Sequence, residues 1–330
     1  MVAKISVGKG LYLPPMGCGT WAWGNRFLWD YDESMDRQLQ EVFNLMVSNG
    51  VTLFDTGDSY GTGKLNGRSE SLLGQFYHQY QGAHREEICL ATKLAAYPWR
   101  LTAKSMVSAC QKSAQRFGKA VDLVQMHWSP NKYFPWQEKP LLEGLTQLYQ
   151  QGLVKAVGLS NYGPVNLEKV HQQFSASGVP IATLQVQYSL LSTYPLAKLG
   201  LKEVCDSLGI KIIAYSPLTL GLLTGKYTED GLLPKGPRRL LFKRLLPKIT
   251  PLLECLKEIA QSREKTISQV AINWCICKGT IPIPGAKTPQ QAGENLGAMG
   301  WRLSDGEVME LDKIALKIDQ TMIQNIFQTK

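Results

Sequence analysis

The chain has only four histidines, His78, His84, His127 and His171. Their spacing makes no ligand cluster, so a metal enzyme is not indicated. Cysteine is present but uninformative as a framework: Cys18, Cys89, Cys110, Cys205, Cys255, Cys275 and Cys277 are odd in number. Cys275 and Cys277 stand too close for a C-x-x-C redox or zinc pair. Several of these cysteines lie in apolar runs such as EICLATK at Glu87, which reads as buried free thiols of a reducing compartment. No apolar run approaches the ~20 residues of a membrane span, and MVAKISVGKGLYLPP lacks the apolar segment of a secretory leader. A cytoplasmic protein without a membrane partner is expected. The net charge of +9 suits an anionic ligand. Its densest stretch, KGPRRLLFKRLLPK (235–248), interleaves no aromatics for base stacking, so nucleic acid is not the expected partner. A second Asp-Thr-Gly is also missing. Asp55-Thr56-Gly57 within FDTGDSYG is the tripeptide of aspartic proteases, but that chemistry needs two carboxylates sharing a proton. A chain of 330 residues is too long for a half-enzyme that pairs with itself.

What the sequence does contain is a set of short β-rich apolar runs. They are MGCGT at Met16, VTLFD at Val51, EICLATK at Glu87, VDLVQMH at Val121, VKAVGLS at Val154, IATLQVQ at Ile181, IKIIAYS at Ile210 and TIPIPGA at Thr280. Amphipathic stretches lie between them, beginning at Asp36, Arg68, Thr102, Pro140 and Val165, several of them ending at Gly. TISQ (266–269) and SDGE (304–307) have the form of capping boxes. Strands apolar on both faces, each followed by a helix, imply a parallel sheet covered by helices. Eight such units predict an α/β fold, a (β/α)8 TIM barrel occupying residues 1–330 as one domain. KISVGKGLYLPP, with Gly8-Lys9-Gly10 at its turn, predicts an N-terminal β-hairpin capping the barrel floor. An open doubly wound sheet would place a glycine fingerprint in the first strand-helix turn, but MGCGTWAWG breaks it at Trp21 and Ala22.

In such a barrel the carboxyl ends of the strands converge on one mouth. The residues there are Asp55 with Tyr60 beyond it, Lys93, His127, Ser160-Asn161, Gln185, Tyr215-Ser216 and Gly285-Ala286-Lys287. Any one of them reads equally well as a solvated strand end or a turn cap. Together, Asp, Tyr, Lys and His on one rim make a proton donor. An ammonium near a phenol stabilises the phenolate, so Lys93 is expected to lower the Tyr60 pKa. Asp55 would hold Lys93, and a neutral His127 would orient a carbonyl oxygen. No activated Ser or Cys is in view, so the hydride for that carbonyl must come from a cofactor.

Over essentially its whole length the sequence resembles the aldo-keto reductase superfamily, through FDTGDSYG, ATK at Ala91, QMHW at Gln125, VGLSNY at Val157, AYSPL at Ala214 and IPIPGAKTPQQAGEN at Ile281. Details such as IPIPGAK and LLTGKY look closest to its bacterial and plant general reductases. The resemblance implies a tetrad of Asp55, Tyr60, Lys93 and His127, with Tyr60 as general acid. It implies NADPH/NADP+ as cofactor, a small carbonyl substrate, no metal, and a monomer. Ser160, Asn161 and Gln185 would bind the nicotinamide carboxamide, and Tyr215 would stack on the ring. Gly19, Thr20, Trp21 and Asp55 would lie along the cofactor. Ser216, Pro217, Leu218, Gly221 and Lys226 would cradle the pyrophosphate, with extra loops and helices at the C-terminal rim. Gly285, Lys287, Thr288, Gln291, Glu294 and Asn295 would meet the adenosine end. Many members carry Arg where this chain has Gln291, so preference for the phosphorylated dinucleotide rests on Lys287, with Arg238 or Arg239 as possible help. Trp21, Trp23, Tyr97, Trp99, Trp128, Phe134 and Trp136 are candidate substrate-pocket walls. Two alternatives remain: a cofactor-binding regulatory subunit of the potassium-channel β-subunit type, and a barrel lyase or isomerase using His127 as base.

Overall fold

A computed structural model describes residues 4–8, 10–229, 231–234, 236, 238–318 and 325–329. Two short antiparallel strands come first, β1 (Ile5–Ser6) and β2 (Tyr12–Leu13), joined by the expected hairpin; Lys9 of its turn lies outside the described residues. Eight parallel strands follow in one sheet: β3 (Cys18–Gly19), β4 (Leu53–Asp55), β5 (Cys89–Leu94), β6 (Val121–Met126), β7 (Val154–Ser160), β8 (Ile181–Gln187), β9 (Lys211–Tyr215) and β10 (Ile281–Pro282). Each strand pairs with its neighbour in sequence. The ring closes where Gly17 N–H donates to Pro282 O at 2.9 Å and Gly19 N–H to Pro284 O at 3.2 Å, with Gly19 bridging Gly285. All eight expected runs are strands, and the (β/α)8 barrel is the fold.

The helices form where the apolar spacing and the caps place them. Asp36–Ser48, Arg68–Gln79, Ala103–Phe117, Pro135–Gln150 and Pro164–Ala176 occupy the five amphipathic stretches. Both expected capping boxes are made, at Thr266/Gln269 and Ser304/Glu307, and a third closes Thr102/Ser105. The basic stretch folds mostly into the long helix Arg238–Ser262, while Lys235 and Pro237 lie outside the described residues.

Alternation along the strands decides what the barrel holds. Successive side chains point to opposite faces, so Leu53 and Asp55, or Cys89, Ala91 and Lys93, share the interior face. Towards the floor this interior is apolar: Leu53, Cys89, Ala91, Leu123, Ala156, Ile213 and Ile281 pack together, and Val7, Leu11 and Leu13 of the hairpin seal them from below. Towards the mouth the same parity delivers Asp55, Lys93, Gln125 and Tyr215. Along these strands the inward-facing positions are apolar at the bottom and polar at the top.

Candidate active site

Asp55 ends β4 and is buried, as is Lys93 on the neighbouring β5. The Lys93 ammonium is ion-paired with Asp55 Oδ1 and donates to Thr56 O at 2.6 Å. The other carboxylate oxygen of Asp55 accepts from Gln125 Nε2 at 3.0 Å and Gln185 Nε2 at 2.8 Å. Both carboxylate oxygens are therefore engaged, which is what keeps a buried carboxylate in one orientation.

Tyr60 sits on the loop after β4. Asp58 pins that loop: its N–H donates to Lys93 O at 2.9 Å, and its carboxylate accepts from Ala95 N–H at 3.1 Å and Arg100 Nη1 at 2.8 Å. The Tyr60 ring then lies 4.9 Å from Lys93 Nζ and 5.8 Å from the His127 ring. Burial raises the Tyr60 pKa, and the pull of Lys93 in the opposite direction does not overcome it. The expectation that Lys93 would bring the phenol below its ordinary value is thus corrected, because taking the phenolate out of water costs more than the ammonium returns. Burial opposes the charge on Lys93 too, but Asp55 and Tyr60 outweigh it and the ammonium is held above its usual range. His127 is driven well below 6.5 by burial and by the Lys93 charge, so its imidazole is neutral. Its Nδ1 is buried without a hydrogen-bond partner.

These groups open into a cavity of about 940 Å³. Gly19, Thr20, Trp21, Asp55, Tyr60, Lys93, His127, Ser160, Asn161, Gln185, Tyr215, Ser216, Pro217, Leu218, Gly221, Lys226, Gly285, Lys287, Thr288, Gln291, Glu294 and Asn295 all line it, so the structure brings the expected tetrad and the expected cofactor contacts to one space. Asn161, at φ 63°, turns sharply after β7; its Nδ2 donates to His127 O at 3.0 Å and its Oδ1 accepts from Tyr215 OH at 2.9 Å. After β9, Ser216, Thr219 and Leu220 also adopt left-handed φ values of 54°, 53° and 56°. Such backbone is unfavourable for side-chain-bearing residues and gathers at ligand-holding loops. Thr288 caps the helix Pro289–Leu296 by accepting from Gln291 N–H at 3.2 Å. Asn295 Nδ2 donates to Gly285 O at 3.3 Å, tying that helix to the segment after β10, and Glu294 accepts from Thr266 Oγ1 at 3.2 Å, tying it to the start of helix Ile267–Cys277.

The aromatic expectation holds only in part. Trp21 and Trp128 line the cavity, whereas Trp23 is fully buried beneath the mouth, its indole N–H donating to Ala286 O at 2.9 Å. Tyr97 stacks on Trp99 at 4.6 Å outside the cavity, and Phe134 and Trp136 pack edge to face on the exposed rim. Among the lining residues that had no place in the expected site, or only a marginal one, are Trp29, Arg238, Asn325 and Phe327. Phe327 stacks on Trp128 at 4.5 Å, and Asn325 Nδ2 donates to Tyr215 OH at 2.9 Å. Residues 319–324, which lead into this segment, lie outside the described residues. Gln125 belongs with Asp55 and was legible from strand parity, two residues before His127. Among the described residues no helix is long and apolar enough to cross a membrane, and no group of acidic, His and Cys side chains could hold a metal.

Residues 15–316 match the Aldo/keto reductase family. The chain is 53% identical over 330 residues to the chloroplastic pyridoxal reductase of Arabidopsis thaliana, covering 99% of this chain and 90% of that one. It is 27% identical over 324 residues to L-glyceraldehyde 3-phosphate reductase of Escherichia coli K12, covering 92% and 90%. Among solved structures, a glycerol dehydrogenase from Gluconobacter oxydans shares the fold with a TM-score of 0.81 at 24% identity, covering 99% of each chain. With barrel, cavity and family match in agreement over nearly the whole sequence, the chain belongs to the aldo/keto reductase family of oxidoreductases.

Proposed function

We propose that the protein is an NADPH-dependent reductase of small aldehydes and ketones, with pyridoxal or a similar aromatic aldehyde as the first substrate class to test. The observation that carries this reading is the meeting of a proton-loaded Tyr60, a charged Lys93 and a neutral His127 at the inner end of one long cavity. The residues suit a dinucleotide. Side-chain amides of Asn161 and Gln185 stand near the reacting groups, Tyr215 offers a ring, and three cations, Lys226, Arg238 and Lys287, line the same cavity. When bound there, reduced nicotinamide would supply the hydride.

The chain's own residues would do the rest. His127, uncharged, donates a hydrogen bond that orients the carbonyl oxygen without protonating it prematurely. As negative charge develops on that oxygen, Tyr60 gives up its phenolic proton, and Lys93 stabilises the phenolate left behind. Asp55, fixed by Gln125 and Gln185, keeps Lys93 in place. The net raised Tyr60 pKa agrees with a group that must be protonated before each turnover.

Trp21, Trp128 and Phe327 give the mouth apolar faces fit for a flat ring, in keeping with the name of the Arabidopsis relative. We read residues 1–330 as one domain, since the eight strands form one sheet and the segments around it line one cavity, and we read the protein as a monomer. The free cysteines support a reducing compartment, for which the cytoplasm is our reading. NADPH oxidation measured with pyridoxal beside dicarbonyls, quinones and ketosteroids tests the assignment. Turnover of pyridoxal is expected, and turnover of none of these carbonyls would overturn the reductase reading.

A further inference from the structure

The aromatic side chains that the cavity leaves out gather at the edge of its mouth. Trp99 and Trp136 are 73% and 69% exposed, and Leu101, Tyr133, Phe134 and Ile326 are exposed as well. They belong to three segments that are tied to one another. Gln137, in the first turn of helix Pro135–Gln150, donates from Nε2 to Tyr97 O at 2.5 Å and to Arg100 O at 2.7 Å, which joins the segment after β5 to the segment after β6. Tyr133 packs edge to face on Phe327 at 6.2 Å, and Tyr133 OH and Lys132 Nζ each donate to Ile326 O at 3.5 Å, which joins residues 325–329 to the same rim. Rings run outward from the cavity wall without a break: Trp128 meets Tyr97 at 6.3 Å, and Tyr97 stacks on Trp99 at 4.6 Å. A patch of exposed rings tied down in this way is a preformed binding surface.

The free charge on this rim has one sign. Lys104, Lys132 and Lys139 are exposed, and none of them is ion-paired among the described residues. Residues 95–104, 127–139 and 325–329 contain a single carboxylate, Glu138, which is buried and accepts from Ser129 Oγ and, at 3.0 Å, from Tyr162 OH. Arg100 is taken up by Asp58. Composition separates two kinds of partner. Protein interfaces favour Arg beside their aromatics and are poor in Lys, whereas a lipid surface takes Trp and Tyr at headgroup level and draws Lys to its anionic headgroups. We propose that this rim docks the protein on an anionic bilayer surface, with Trp99 and Trp136 entering the headgroup layer and Lys104, Lys132 and Lys139 meeting lipid phosphates. Such docking is peripheral and needs no spanning helix, and it turns the Trp128 and Phe327 walls of the mouth towards the bilayer.

The test is co-sedimentation of the full chain with vesicles of phosphatidylcholine alone and of phosphatidylcholine mixed with phosphatidylglycerol. Wild type should bind the anionic vesicles about tenfold or more tightly than the neutral ones, with the difference shrinking at high salt. Trp99→Ser combined with Trp136→Ser should weaken that binding by about tenfold, and Lys132→Glu combined with Lys139→Glu should remove the preference for anionic lipid. Both double variants should melt at the wild-type temperature, because the replaced side chains are exposed. Lys243→Glu combined with Arg244→Glu, on the basic helix Arg238–Ser262, should bind vesicles as wild type does. A wild type that binds neither vesicle, or both equally, would overturn the proposal, as would binding lost in the helix variant and kept in the two rim variants. A concentration-dependent dimer in sedimentation velocity that the Trp99→Ser and Trp136→Ser pair abolishes would also overturn it, by assigning the rim to a second copy of the chain.

Discussion

At the inner end of the cavity Lys93 is enclosed: a carboxylate pairs with it, a carbonyl accepts from it, and two glutamine amides hold that carboxylate in turn. At the outer end Lys226, Arg238 and Lys287 line the same cavity, and among the described residues none of them is ion-paired with a carboxylate; Arg238 and Lys287 donate only to the backbone oxygens of Leu220 and Trp29. The same charge is treated in two ways because the two ends have different tasks. A buried ion pair with its hydrogen bonds satisfied is fixed in advance, and fixed charge is what a reacting centre needs. Unpaired cations lower the stability of the empty protein by mutual repulsion and recover it when an anion arrives. The inner end is thus built for chemistry and the outer end for capture.

Four experiments would break or sharpen that contrast. Tyr60→Phe removes only the proton, so carbonyl turnover should fall by about 10²–10⁴-fold while NADPH affinity stays the same; retained turnover would remove Tyr60 from the reaction. Lys93→Met leaves Asp55 buried and uncompensated. It should cost about 3–5 kcal/mol of stability in denaturant melts besides its effect on rate, and a fully stable variant would contradict the preorganised pair. Lys287→Met, at the other end, should be neutral or slightly stabilising for the protein alone. It should weaken NADPH by about tenfold or more, with the difference from wild type shrinking at high salt; a salt-independent loss would mean that charge is not the cause. The smallest effect concerns pH. His127 titrates well below 6.5 in the folded protein, so below about 6.5 the unfolded chain takes up a proton that the native one refuses. Stability should decline as pH falls from that point, by at most about 1.4 kcal/mol per pH unit from this group, and His127→Gln should flatten the decline.

Much of this arrangement was legible in the sequence, and the reason is strand parity. A period of two places 53 and 55, 89, 91 and 93, and 123, 125 and 127 on one face, so the apolar-to-polar change along each run marks the floor and the mouth. What was not legible depends on where loops return. Trp23 and Trp21 are two residues apart, yet one is core and the other a cavity wall, because the turn between them bends out of any regular period. Phe327 meets Trp128 across 199 positions, a contact that no local pattern announces. The direction of the Tyr60 pKa was misjudged for a related reason. Sequence shows which charges lie near, but the burial that outweighs them is a property of the assembled mouth.

The closure of the ring has a consequence for how the protein opens. Pro282 and Pro284 accept hydrogen bonds from Gly17 and Gly19 but have no N–H to return. Gly19 cannot carry a side chain, since a Cβ there would come within 2.8 Å of Ile283 O. With two prolines on one side unable to donate, this junction is a natural place for the sheet to part, so the amides of Gly17 and Gly19 should exchange with deuterated solvent before those of β5 to β8. The residues just beyond the junction on its two sides, Thr20 and Trp21 on one and Gly285 and Lys287 on the other, line the same cavity. A ligand touching both sides would act as a staple across the seam, and its arrival would be recorded as slowed exchange at the two glycines that close the ring.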